Sequence, residues 1–262
     1  MEDVSHLPKC KKFIFLQIYY LKIGNLINMS LRGNAVLVNW GGIVKSKEID
    51  YNSWHSLEHM PERISLTGFL RGFRGVGVKG TLDNHKYFMM YEAEDKKVFE
   101  SKEYLDRLNN PTKWTKDILS NYVSPSRTIC DVIASKSLGF AGFVATIRFL
   151  DEEIKKKIDI DSIKNQISKI TNMDCITGMH ILLGDLKFGQ LETEEKKFRS
   201  HQGNSDEIIS LAILIEGLNI DSLKKVIKKL TTCFSLCEGK LLIINYYKCQ
   251  HILSKSDLDA SK

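Results

Sequence analysis

Two histidines and two glutamates that could carry out proton chemistry stand close together at His55, Glu58, His59 and Glu62. On a helix, His55, His59 and Glu62 fall at i, i+4 and i+7, which is one continuous face. A carboxylate within a turn of an imidazole orients the ring and raises its basicity. The spacing therefore predicts His55 or His59 as a general base, with Glu62 as the orienting group. The alternative is a polar helix end in which these side chains bond nearby backbone.

The same residues spell H-x-x-E-H, a signature of zinc peptidases, and two histidines four apart on a helix can hold zinc. Pro61 argues against this because its ring disturbs the helix that would present the ligands. A peptidase would also need a much larger chain with a distal acidic ligand. We predict no metal and no cofactor. A haem with His180 as axial ligand is a second alternative, although a core histidine is favoured there.

Arg71 and Arg74 follow on the next predicted strand and could bind an anion. Their odd spacing places them on opposite faces of a regular strand. A bulge at Gly72 would bring both onto one face, where they could hold a carboxylate or a phenolate. The alternative pairs one of them with Glu58 or Glu62 and leaves the other at the rim.

Four aromatic side chains are candidates for the wall of an apolar ligand pocket: Trp40, Trp54, Tyr91 and Trp114. Large aromatic residues fill protein cores as readily as they line pockets, so both interpretations stay open.

The elements that must position these residues repeat once along the chain. Strands alternate with helices in the order βαββαβ, the ferredoxin-like arrangement. In the first half, the predicted strands are 35–40, 69–78, 87–92 and 127–134, with helices near 54–67 and 101–122. In the second half, the predicted strands are 142–150, 178–186, 208–216 and 241–252, with helices at 161–170 and 221–230. The polar residues 189–207 are predicted to form an inserted loop.

Strands 35–40 and 211–215 are apolar on both faces, whereas one ferredoxin-like unit covers only one face of its sheet. Two units in one chain can cover the other face by packing sheet against sheet. The predicted fold is therefore α+β, with two tandem ferredoxin-like βαββαβ units forming an intrachain pseudo-dimeric α/β barrel. We expect residues 1–34 to form a poorly ordered extension, 35–137 unit 1, 138–255 unit 2 and 256–262 a tail. A ligand is expected in the lumen between the sheets.

Composition narrows the possible partners. The net charge of +6 comes mostly from lysines at helical spacing, and no element interleaves basic and aromatic residues, so nucleic-acid binding is not expected. The apolar run 13–21 is too short to span a membrane and lacks a small-residue cleavage site. The scattered cysteines indicate free thiols in a reducing compartment, which predicts a cytoplasmic protein. We expect a monomer because the two units pair within the chain. The expected partner is a small molecule.

Three stretches of the first half resemble EthD-like members of the dimeric α/β-barrel superfamily: Trp54-His55 with residues 58–63, residues 68–72, and residues 108–115 followed by 126–128. The resemblance implies a ferredoxin-like fold that pairs into a barrel, among relatives that include cofactor-independent monooxygenases and muconolactone-type isomerases. Thr67 stands where the family usually has proline. The second half matches only in the order of its elements and has no His-x-x-Glu-His counterpart.

The resulting functional hypothesis is a protein that binds a small aromatic or oxo-acid metabolite. If it is an enzyme, it would abstract a proton or carry out cofactor-free oxygenation with His55 or His59. The competing hypothesis is a non-catalytic ligand-binding or interaction protein whose lumen is filled by side chains. A fold alone does not choose between them.

Overall fold

The computed structural model describes residues 31–78, 81, 83–150, 159–189, 191–200, 206–233 and 242–260. Most of the predicted N-terminal extension, residues 1–30, lies outside the described residues, as do residues 261 and 262 of the predicted tail.

Eight antiparallel strands form one closed barrel. Their bounds are β1 Ala35–Ile43, β2 Phe69–Gly77, β3 Tyr87–Ala93, β4 Tyr122–Ser137, β5 Phe143–Phe149, β6 Ile176–Gly184, β7 Leu211–Gly217 and β8 Leu242–Ser254. Around the barrel the order is β1-β3-β2-β8-β5-β7-β6-β4. Each half of the chain thus contributes four neighbouring strands in the same relative order, and the predicted α+β pseudo-dimeric barrel is confirmed.

The structure describes nine α-helices, and most of them connect strands of their own half of the chain. Their bounds are α1 Glu48–Trp54, α2 Met60–Ser65, α3 Lys102–Asn109, α4 Lys113–Leu119, α5 Ile160–Thr171, α6 Leu186–Gly189, α7 Glu194–Ser200, α8 Ile220–Cys233 and α9 Lys255–Ala260. The apolar faces of α1–α4 cover one side of the first four strands, and those of α5 and α8 cover the same side of the second four.

Two hydrogen-bonded seams join the halves. β2 pairs with β8 from Arg71↔Ser254 to Gly77↔Tyr247, and β4 pairs with β6 from Cys130↔Gly184 to Ser137↔Gly178. Closure leaves no unpaired sheet edge, and it explains why β3 and β7 are buried along their whole length.

The barrel interior is filled by side chains. On β1, the residues Val36, Val38 and Trp40 point inward, whereas the alternate residues face the helices. Large inward side chains from the other strands meet them, including Phe73, Phe88, Met90, Leu182, Leu214 and Tyr247. The expectation of a ligand space between the sheets is therefore wrong, because aromatic, methionine and leucine side chains occupy that volume.

A π-helical turn, His55–His59, joins α1 to α2 into one helical segment. It ends two residues before Pro61, whose ring lacks a donor and cannot fit against the carbonyl four residues earlier in a regular helix. A wider turn relieves that conflict, and such turns are frequent at functional sites. The segment ends before Gly68, which has a φ of +81° and would place a Cβ 2.4 Å from Val98.

Described parts of three segments that were predicted to be irregular form hydrogen bonds to the barrel or helices. Residues 31–34 bond to the barrel, with the Leu31 amide donating to Ser135 Oγ at 3.1 Å. The predicted loop 189–207 contains helix α7 and the predicted tail contains α9. Lys255 at the start of α9 donates to the carbonyls of Ile64, Ser65 and Leu66, so it caps the end of α2.

Because both seams close within one chain, we expect a monomer in solution. Sedimentation velocity of the purified chain over a range of concentrations should give one species with the 30.0 kDa mass of the sequence. An obligate dimer at all concentrations would show that closure within the chain does not satisfy the sheet edges.

Candidate functional site

A chamber of about 30 Å³ lies outside the barrel, between the strands of unit 1 and helices α1–α4. Such a volume holds one or two water-sized molecules. Its walls come from β1, β3 and β4, from the helices that cover them, and from α7 of unit 2. They comprise Leu37, Asn39, Tyr51, Trp54, His55, His59, Arg63, Met89, Tyr91, Tyr104, Leu108, Leu119, Tyr122, Arg127, Glu195 and Arg199. Of the predicted site residues, His55, His59, Trp54 and Tyr91 meet here.

The two histidines face the chamber from the π-helical turn. Their ring centroids are 5.7 Å apart, and the His59 ring lies 4.4 Å from that of Trp54. His55 Nε2 is 3.0 Å from the Tyr91 hydroxyl. Burial raises the pKa of Tyr91 strongly, so this hydroxyl stays protonated and can donate to His55.

Both imidazoles are held in the neutral form. Burial lowers the pKa of His59 well below 6.5, and the nearby charge of Arg63 and the neighbouring His55 lower it further. Burial likewise lowers the pKa of His55, with a smaller contribution from Arg74. A neutral imidazole offers one nitrogen lone pair, so each ring can accept a proton.

A hydrogen-bonded brace between helices fixes the wall beside His59. Trp54 Nε1 donates to Thr115 Oγ1 at 3.1 Å, and Thr115 donates in turn to Glu58 Oε1 at 3.1 Å. Thr112, the N-cap of α4, donates to the same Glu58 oxygen at 2.6 Å. The glutamate of the H-x-x-E-H string therefore holds α4 and Trp54 in place and does not face the chamber.

The buried polar atoms without a hydrogen-bond partner include four on residues that line the chamber: Asn39 Oδ1, His55 Nδ1, His59 Nδ1 and Arg63 Nη1. Buried polar atoms in native proteins nearly always have partners, and an unpaired one is costly. Because these residues meet at one cavity, a polar molecule there could supply the missing hydrogen bonds.

Three arginines reach this region. Buried Arg63 forms an ion pair with Glu195 of α7. Arg199, also on α7, binds Asp206 through two bonds of 3.0 and 2.6 Å. Arg127 donates to the Tyr104 hydroxyl at 2.6 Å. A second cavity of about 20 Å³ lies alongside and shares Tyr104, Leu108, Arg127 and Arg199 with the first.

Glu62, Arg71 and Arg74 do not line the chamber. Glu62 is half-buried and pairs with Arg107 at 3.3 Å. The register shifts of β2 fall between Phe69 and Arg71 and between Arg74 and Gly75, and not at Gly72, so the two arginines stay on opposite faces. Arg71 binds Glu92 at 2.7 Å and lies over the Phe140 ring at one end of the barrel.

Arg74 lies on the helix side of the sheet with its donors occupied. It bonds Gln250, Ser56 and both the carbonyl and the side chain of Asn52. The predicted anion clamp by Arg71 and Arg74 is therefore not formed.

Two of the predicted tryptophans also lie elsewhere. Trp40 is inside the barrel, stacked on Phe88 with centroids 5.0 Å apart and covered by Arg148. Trp114 is partly buried on α4 and donates to Asp50 at 2.8 Å. The structure thus separates both from the two histidines.

The polar wall opposite the histidines was missed at the sequence level. Arg63 lies four residues after His59, a helical spacing that places both side chains on one face. Glu195 and Arg199 are four apart on one face of α7, a helical spacing inside a segment too polar to be recognised as buried. Arg127 stands in a strand, where alternation alone does not reveal the cavity.

The remaining chemical alternatives find little support in the geometry. His180 bonds Ser135 Oγ through Nδ1 at 2.7 Å and Glu216 through Nε2 at 2.9 Å, so neither nitrogen is available to a haem. Among the described residues, no group of three or more His, Cys, Asp or Glu side chains is placed to hold a metal ion. No described helix has the length and apolar character needed to cross a bilayer.

Two solved structures of the same fold place the architecture among known proteins. One is described as a "putative monooxygenase" from Fusobacterium nucleatum subsp. nucleatum; it is 14% identical, with 86% of this chain matched to 96% of that one and a TM-score of 0.52. The other is described as an anthrone oxidase-like protein. It is 10% identical, the match covers 86% of this chain and 95% of that one, and the TM-score is 0.56. No model of a protein family and no curated protein matches the chain. The likeness shows that this closed eight-stranded barrel covered by helices is a known fold.

The depressed histidine pKa values predict a pH-dependent stability. The folded chain keeps His55 and His59 neutral below pH 6.5, where the unfolded chain protonates them, so the unfolded state binds more protons. The free energy of unfolding should therefore decrease as the pH falls below 6.5, by about 1.4 kcal/mol per pH unit for each histidine. Urea unfolding between about pH 7 and pH 5 measures this slope. His59→Gln should show a shallower slope than the wild type, and equal slopes would contradict the assignment.

Proposed function

We propose that the chain is an EthD-like protein whose unit 1 chamber binds a small aromatic or oxo-acid metabolite, with His59 acting on it as a general base. The observation that carries the proposal is the set of unpartnered polar atoms around the chamber, two of which belong to neutral imidazoles. His59 is the better base because the second nitrogen of His55 already faces Tyr91. Tyr51, Trp54, Tyr91 and Tyr104 supply flat apolar surface for an aromatic body.

The proposed reaction begins with removal of a proton from an acidic carbon of the bound metabolite by His59. The resulting carbanion is stabilised by the arginines of the chamber wall. In a cofactor-independent monooxygenase, the carbanion reduces O₂, so that a CH₂ group and O₂ become a C=O group and water. In an isomerase, His59 returns the proton to a different carbon. Both reactions need the same base and the same positive wall.

A second candidate is a non-catalytic ligand-binding or interaction protein of the same fold. The filled barrel interior and the small volume of the chamber favour this alternative, because a drug-sized ligand needs roughly 300 Å³. Under the first proposal, the metabolite enters by displacing side chains at the wall formed by α7. The two candidates make opposite predictions for a His59 variant.

Anthrone, a compound with an acidic CH₂ group, is a suitable probe because an anthrone oxidase-like protein shares the fold. We expect the wild-type chain to consume O₂ in the presence of anthrone, and His59→Ala to lower that rate by about 10²- to 10⁴-fold. Oxygen electrode traces and the absorbance of the anthraquinone product measure the rate.

His251→Ala is the matched control, because His251 is a half-buried histidine on β8 that does not line the chamber. Its rate should stay within about twofold of the wild type, as expected for a residue outside the site. Cooperative unfolding of both variants shows that they are folded. Anthrone binding without turnover in the wild type would favour the non-catalytic candidate.

A further inference from the structure

We propose that the chamber is an anion site occupied by the chain's own carboxylate, Glu195, which the carboxylate or phenolate of an aromatic ligand displaces. The inference rests on the proposed function and narrows its substrate class to anions. It also assigns Glu195 the role of an internal competitor and Arg63 that of the anchoring residue.

Arg63 can bind a carboxylate through two terminal nitrogens, and only one of them, Nη2, is bonded to Glu195. Its side chain is 2% exposed, and its Nη2 donates to Glu195 Oε1. Its Nη1 is buried without a partner. A guanidinium can bind both oxygens of a carboxylate at once, and this second donor is therefore available to a better-placed anion.

Glu195 reaches the chamber from a different part of the fold from its receptor. Arg63 belongs to α2 of unit 1, whereas Glu195 lies on α7, a helix of seven residues inserted between β6 and β7 of unit 2. The brace that holds Trp54 and the hydrogen bond between Tyr91 and His55 involve no residue of α7. Glu195 can therefore leave the chamber while the wall formed by unit 1 stays intact.

The charges on the chamber wall favour an anion once Glu195 leaves. Arg63, Arg127 and Arg199 line the chamber, and Glu195 is the carboxylate among its lining residues. Arg199 keeps Asp206 as its own partner. Arg127 donates to the Tyr104 hydroxyl. An incoming anion would meet two arginines at the chamber wall, beside rings that suit an aromatic body.

Isothermal titration with benzoate and with its neutral isostere benzamide tests the inference on the full chain. Glu195→Gln keeps the shape of the side chain and removes the competing charge. We expect this variant to bind benzoate at least about tenfold more tightly than the wild type, because the buried positive charge of Arg63 then has no ion-pair partner. Benzamide affinity should change by less than about threefold, since a neutral ligand gains no ion pair.

Glu192→Gln is the matched control, because Glu192 lies in the same inserted segment with its side chain 69% exposed and paired to Lys196. Its benzoate affinity should stay within about twofold of the wild type. The double variant Arg63→Gln/Glu195→Gln removes both buried charges, so it should remain folded and bind benzoate no better than benzamide.

Three results would overturn the inference: equal benzoate affinity in the wild type and Glu195→Gln, an equal gain for benzamide, or a benzoate preference that survives in the double variant. A tight benzoate complex combined with unchanged anthrone oxidation in His59→Ala would retain the anion site and reject the proposed base. Anthrone oxidation that depends on His59, combined with no effect of Glu195→Gln on benzoate affinity, would retain the proposed base and reject the anion site.

Discussion

The two intrachain seams, β2 with β8 and β4 with β6, are the constraint on which the rest of the molecule depends. They turn two open four-stranded sheets into one cylinder, so the inner face of every strand is enclosed. The inner faces meet across a short distance, where Trp40, Phe73, Phe88 and Tyr247 pack together. The chamber lies on the outer face, beneath the helices. The His55–His59 turn lies on that face because α1 and α2 cover it.

Burial and positive charge act together on the imidazoles of the chamber. Desolvation is the larger cause of the low pKa of His59, and the guanidinium groups of Arg63, Arg199 and Arg127 add to it. A bound anion would offset that positive potential and raise the basicity of His59 at the moment when a base is needed. In such an arrangement, ligand recognition and base activation are one electrostatic event.

The repeated strand pattern was readable from the sequence because it depends on local alternation and on runs of apolar residues. Ala35–Trp40 and Leu211–Ile215 are apolar on both faces, and this property predicted the second sheet correctly. The location of the ligand space was not readable, because two-sided burial is equally compatible with a hollow barrel and a filled one. Packing in the interior depends on the sizes of side chains that meet from distant strands.

The errors within the site have two physical origins. The face on which Arg71 and Arg74 lie depends on the position of one bulge, and a shift of the bulge from Gly72 to the Phe69–Arg71 step changes the outcome. The burial of Glu195 depends on Arg63, which is far away in sequence, and both Glu195 and Arg199 face a chamber wall formed by unit 1. Charged residues are predicted to be exposed unless a buried partner is known.

The two halves of the barrel have become unequal in what they contribute to the chamber. Unit 1 supplies its floor and its histidines, unit 2 supplies α7, and the equivalent face of unit 2 is packed with apolar side chains from α5, α8 and the strands beneath them. A barrel made of two identical subunits would carry two equal chambers, whereas one continuous chain allows each half to specialise. If the chamber binds the proposed ligand, the stoichiometry is one ligand per polypeptide, with unit 1 carrying the histidines and unit 2 contributing α7.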